Sequence, residues 1–98
     1  MYARLTTIVF APTEPDVAET IFRQILPTIE KLDGFKGMLM LSGLEERSLV
    51  VLTLWEREEA LDAAQPVLEG VKRAETSFRQ VGATDTVRFY VAGSRLNL

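Results

Sequence analysis

Phe35-Lys36-Gly37-Met38-Leu39-Met40-Leu41-Ser42 and Ser48-Leu49-Val50-Val51-Leu52-Thr53-Leu54-Trp55 are the two stretches that decide the fold. Both read as strands, rich in apolar and β-branched residues and closed by turn-forming neighbours. Their apolar residues fall on odd and even positions alike. A strand with one wet face would alternate, so both faces of these strands need cover. Gly43 to Arg47, carrying Glu45 and Glu46, is short enough for a hairpin, which makes the pair antiparallel.

Working outward, residues 2–10 predict another strand, closed by Pro12. One face holds Ala3, Leu5, Thr7 and Val9, the other Tyr2, Arg4, Thr6, Ile8 and Phe10. Thr13-Glu14-Pro15-Asp16 is a helix start: Thr13 can cap, and Pro15 loses nothing where its missing N–H has no partner anyway. Val17, Ala18, Ile21, Phe22, Ile25, Leu26 and Ile29 then form one apolar helical stripe. Pro27 predicts a kink or break near its end. Gly34 supplies a left-handed cap. A second helical region spans 56–81, with Leu61, Ala64, Leu68, Val71, Ala74, Phe78 and Val81 spaced by three and four, and Pro66 and Gly70 dividing it into two pieces. Glu69–Arg73 and Glu75–Arg79 are supporting i,i+4 pairs. A last strand covers 86–92, and the tail carries no assignable element.

Residues 1–98 hold one domain, since a second core would not fit. With neither cysteine nor histidine, disulfides, thiolate or imidazole metal sites, iron–sulfur clusters and a cysteine nucleophile are excluded. Oxygen-donor spacing for a metal is also lacking, so no cofactor and no metal are expected. A net charge of −3 with dispersed cations gives no basic footprint for nucleic acid. No run is long enough to span a membrane and the start lacks a signal core. A cytoplasmic location follows as the expectation.

The order β-α-β-β-α-β predicts an α+β fold, a ferredoxin-like four-stranded antiparallel sheet with both helices on one face. The other face would expose Met38 or Leu39, Leu52, Ile8 and Phe10. A patch of that size predicts a homodimer packed sheet to sheet. The alternative is a monomer with its tail partly covering the strands.

Gly34-Phe35-Lys36-Gly37, followed by Leu52-Thr53-Leu54-Trp55-Glu56-Arg57-Glu58-Glu59-Ala60-Leu61, resembles the antibiotic biosynthesis monooxygenase-like family. The resemblance spans nearly the whole chain in element order. It implies a dimeric α/β barrel of ferredoxin-like subunits. It also implies a cofactor-independent monooxygenase acting on aromatic or quinone-like substrates, with a non-catalytic ligand-binding or structural homodimer as the alternative. The haem-degrading branch of the family is not matched: its Asn, Trp and iron-ligating His fall on Thr7, Ala64 and Ala74. The aromatic-polyketide branch matches at Trp55 but lacks its Asn within Val50-Val51-Leu52-Thr53.

Candidate substrate-binding residues are Thr7, Trp55, Phe22 and Phe78. Trp55 either walls a pocket by stacking on a planar substrate or is the core aromatic joining strand to helix. Thr7, expected on the helix side, either bonds a ligand carbonyl or is an ordinary strand threonine. Phe22 and Phe78 are helix-face core and pocket lining if a cavity exists. Arg4, Arg88 and Tyr90 share a parity placed on the dimer-facing side, where the arginines bind an anionic ligand or a carboxylate across the interface. Glu45, Glu46 and Glu56 to Glu59 read as solvated charges.

Overall fold

Tyr2–Val9 forms strand β1, Val17–Ile29 helix α1, Phe35–Ser42 strand β2, Ser48–Trp55 strand β3, Glu58–Ala74 helix α2 and Asp85–Tyr90 strand β4. These come from a computed structural model that describes residues 1–9, 17–44, 48–74 and 85–96. The four strands make one antiparallel sheet in the order β2-β3-β1-β4. Element order and sheet are those predicted, so the ferredoxin-like α+β class holds. The proposed capping segment at Thr13, the strand residue Phe10 and the pair Glu75–Arg79 lie outside the described residues.

The expected division of the second helix does not occur. Helix α2 runs unbroken through Pro66 and Gly70. Pro66 forfeits one backbone bond, to the carbonyl four residues before it, while Ala63, Ala64 and Gln65 leading into it are helix-compatible. Its amphipathic stripe buries Ala60, Leu61 and Ala64 against the sheet, and that burial outweighs the local cost. Similarly, α1 contains Pro27 and ends two residues later at Ile29. The last strand ends at Tyr90 instead of residue 92.

Both described helices pack on the same face. The core joins Ile25 and Ile29 of α1, Ala60, Leu61 and Ala64 of α2, and Leu49 and Trp55 of β3, with Tyr2, Phe35, Met38, Met40 and Val51 packed around it. Trp55, Ile29 and Leu61 are the largest fully buried side chains, worth about 1.5–3 kcal/mol each for the aliphatic residues. Between Phe35 and Gly37 the β2–β3 register shifts by one residue at Lys36. The shift puts Phe35 and Met38, three apart, on the same side of the sheet.

Gly34 fixes how the α1–β2 turn meets α2. Its φ is +80°, its carbonyl accepts from the Glu56 N–H at 2.7 Å, and the neighbouring Phe35 N–H donates to Leu32 at 3.2 Å. A Cβ at Gly34 would lie 2.5 Å from the Cβ of Ala60. The close approach therefore requires both the left-handed backbone and the missing side chain. Gly34→Ala should lower stability by about 2–4 kcal/mol, summing left-handed strain and overpacking. Urea denaturation reads this directly, and an unchanged midpoint would contradict the account.

Candidate functional site

Strand parity divides the sheet into two chemically different faces. Across β1 and β3, Tyr2 stands opposite Trp55, Arg4 opposite Thr53, and Thr6 opposite Val51. Across β1 and β4, Tyr2 stands opposite Tyr90, Arg4 opposite Arg88, and Thr6 opposite Thr86. Because Trp55 packs against α1 and α2, all of these residues face the helices. The other face carries Ala3, Leu5, Leu52, Leu54, Val87 and Phe89 in register, with Thr7 opposite Val50. Arg4, Thr6, Thr53, Thr86 and Arg88 lie on the helix side, while Thr7, Ser48 and Asp85 hold register positions on the other face near one end of the strands.

This placement corrects two expectations. Thr7 lies on the face away from the helices, so it and Trp55 cannot bound one pocket; Thr6 is the β1 threonine on the helix side. Arg4, Arg88 and Tyr90 do share a parity, as read from the sequence, but on the helix face and not the free one. The missed signal was distributional. One parity collects both strand arginines with Thr6, Thr53 and Thr86, while the middle of the other is apolar, with Thr7, Ser48 and Asp85 only toward one end. A flat apolar face suits packing against another sheet, whereas polar residues suit a space that a ligand can enter.

Trp55 sits in the core. It is fully buried, leaving no water-sized gap against it. Its indole N–H donates to the Thr53 hydroxyl at 3.0 Å, and its ring meets Phe35 edge to face at 5.6 Å. In this arrangement it locks strand to helix, and stacking on a ligand is closed to it. Phe22 is half-buried on α1, one turn before Ile25; Phe78 lies outside the described residues.

The remaining helix-side polar groups form a row on β1 and β4. The Tyr2 and Tyr90 rings meet edge to face at 5.5 Å. Arg4 is 6% exposed, whereas Tyr90 is 69% exposed, so the row runs from the sheet centre to solvent. The Thr6 and Thr86 hydroxyl oxygens are 3.3 Å apart. From α2, Glu58 and Asp62 both approach Nη2 of Arg88, at 2.6 and 3.1 Å. These side chains are about half exposed, so the ion pairs add little stability individually and chiefly hold the edge strand against α2.

A separate surface depression of about 270 Å³ lies between the α1–β2 turn and α2. Leu32, Ala60, Ala63 and Ala64 line it with Asp33, Arg57 and Glu59. The hydrogen bond and charge of Asp33, 2.5 Å away, hold the Arg57 guanidinium above its ordinary pKa. Of the sequence-predicted site residues, Thr7, Phe22 and Trp55 do not border it. Among the described residues no group of three or more acidic side chains is placed to hold a metal, and no described helix is long and apolar enough to cross a membrane.

The architecture is that of a ferredoxin-like subunit, and solved structures share it. A monooxygenase from the gene ActVA-Orf6 of Streptomyces coelicolor, in complex with nanaomycin D, matches with a TM-score of 0.73 and 17% identity, over 99% of this chain and 92% of that one. SnoaB, a cofactor-independent oxygenase from Streptomyces nogalater, matches at 0.72 and 16%, over 95% and 94%. A mutant of MhuD with two manganese protoporphyrin IX molecules bound per active site matches at 0.72 and 20%, over 99% and 100%. No family model matches the sequence, and no curated protein is similar to it.

Residues of this chain do not fit an imidazole-ligated porphyrin. The sequence has no histidine, Ala64 is packed in the core at 2% exposure, and Thr7 faces away from the helices.

Removing the Thr53 hydroxyl isolates a buried donor. Thr53→Val should cost about 1–3 kcal/mol, the penalty for an unsatisfied indole N–H. Thermal melting checks it, with Thr7→Val as the control on the other face, where a change within about 0.5 kcal/mol is expected.

Proposed function

We propose that this chain is a cytoplasmic homodimer that binds a small aromatic or quinone-like molecule on the helix side of each subunit and oxygenates it without a cofactor. The observation that carries the reading is the segregation of the sheet's two faces. Both strand arginines and the Tyr2–Tyr90 pair lie on the helix side, and the middle of the opposite face, Leu5, Leu52, Leu54, Val87 and Phe89, is apolar. Leu41, Val87 and Phe89 there are 52, 41 and 47% exposed. A second copy packed on that face would cover it by a self-complementary two-fold contact. Similarity to the Streptomyces oxygenases supports the chemistry.

Such a reaction asks little of the protein. An electron-rich substrate anion reduces dioxygen itself; one oxygen atom becomes a new carbonyl and the other leaves as water, with the substrate supplying all the electrons. The protein holds the ring in place and assists proton loss. The Glu58 and Asp62 carboxylates and the Tyr2 and Tyr90 hydroxyls are the groups at the row that can accept or relay that proton. A ligand-binding homodimer without catalysis is the second reading. The full burial of Trp55 favours it, because the aromatic wall on which substrate would stack is withdrawn into the core.

Two measurements test these statements. Light scattering should give twice the subunit mass at micromolar concentration, and Leu52→Glu, placing a charge in the middle of the free face, should shift the mass to the monomer; a wild-type monomer would refute the assembly. Incubation of hydroxylated anthrone-type compounds with labelled dioxygen should place one labelled atom in the product, undiminished by chelators. Saturable binding without turnover would leave the second reading standing in place of the first.

A further inference from the structure

We infer that Arg4 and Arg88 form an anion subsite on the helix-side face, built for an ionised oxygen on a planar aromatic ligand. The inference rests on the ligand-binding reading above and specifies the class of ligand. β1 and β4 match residue for residue across three rungs: Tyr2 with Tyr90, Arg4 with Arg88, and Thr6 with Thr86. Like charges directly opposite on a sheet repel, and the middle rung sets two arginines opposite each other on the helix-side face. Glu58 and Asp62 answer the outer one, and both do so at its Nη2 atom.

Arg4 is the inner member, on a central strand and 6% exposed. A guanidinium cannot shed its proton to relieve burial. It also carries five N–H donors in a fixed fork, more than one neighbour can occupy, so it can grip an anion while keeping another contact. Its surroundings define the rest of the ligand. One rung along, the Thr6 and Thr86 hydroxyls stand 3.3 Å apart and can donate to a second oxygen. One rung the other way, the tyrosine pair offers ring edges and faces to a flat molecule, and the exposure of Tyr90 leaves an entrance. The whole chain is acidic, with a net charge of −3, so anion attraction here is local. The ionised oxygen belongs to a carboxylate or to a phenolate; both present the same charge to the fork.

Calorimetry on the intact protein separates these cases with three probes of one shape: 2-naphthoate, 2-naphthol and the neutral 2-naphthamide. Naphthoate binding at least tenfold tighter than naphthamide identifies a carboxylate. Naphthol affinity rising as pH approaches its ionisation identifies a phenolate. Either advantage should shrink below threefold in Arg88→Gln, whose half-exposed side chain makes it the variant safest for folding, and in Arg4→Gln where that variant folds by circular dichroism. Arg4→Lys should keep part of it. All three probes binding alike and independently of pH would overturn the subsite and leave ligand binding intact. Failure of every probe to bind the folded wild type would overturn both.

Discussion

The two strands β2 and β3 are apolar on both faces, and α1 with α2 covers one of those faces. The face they take sets the role of every strand residue. Trp55 decides the matter, since its indole is the largest group that must leave water and its N–H needs the Thr53 hydroxyl at 3.0 Å. Ile25, Ile29, Leu61 and Ala64 close over it. Strand parity then carries Arg4, Thr6, Thr86 and Arg88 to the same side, and a polar row lies on the helix side, running out to solvent at β4, as a consequence.

The close contact between Gly34 and Ala60 belongs to the same arrangement. It ties the end of α1 to the start of α2, through the Glu56–Gly34 backbone bond. The two helices are thus positioned on the sheet as a pair. Ion pairs from Arg88 to Glu58 and Asp62 fasten the other border of α2 to the edge strand. The molecule is held by a core at one end of α2 and by charge at its flank.

Strand and helix periodicity made the element order, the antiparallel sheet and the one-sided helices legible in the sequence. Local rules failed where packing overrode them, as at Pro66, where one missing backbone bond did not outweigh the buried stripe of α2. The orientation of the sheet was less accessible. Since β2 and β3 are apolar on both sides, alternation could not say which side meets the helices, and Thr7 was placed with Trp55 without a register to check it. Tyr2 opposite Trp55 provides that register. The parity grouping of Arg4, Arg88 and Tyr90 needed only alternation and was read correctly, while its direction required knowing where Trp55 points. Phe22 illustrates a further limit, because a helical stripe marks core and pocket lining with the same spacing.

The register shift at Lys36 bears on which strands can pair with the sheet's edge. β2 is an outer strand of the sheet, and its far side presents backbone donors and acceptors to any passing extended chain. An unpaired extra residue at the start of that strand spoils the regular spacing a foreign strand would need, and a lysine there repels close approach by another copy's lysine. A chain with so much apolar sheet must choose which of its surfaces can be joined. Irregularity at this margin works against open-ended stacking of copies along the edge.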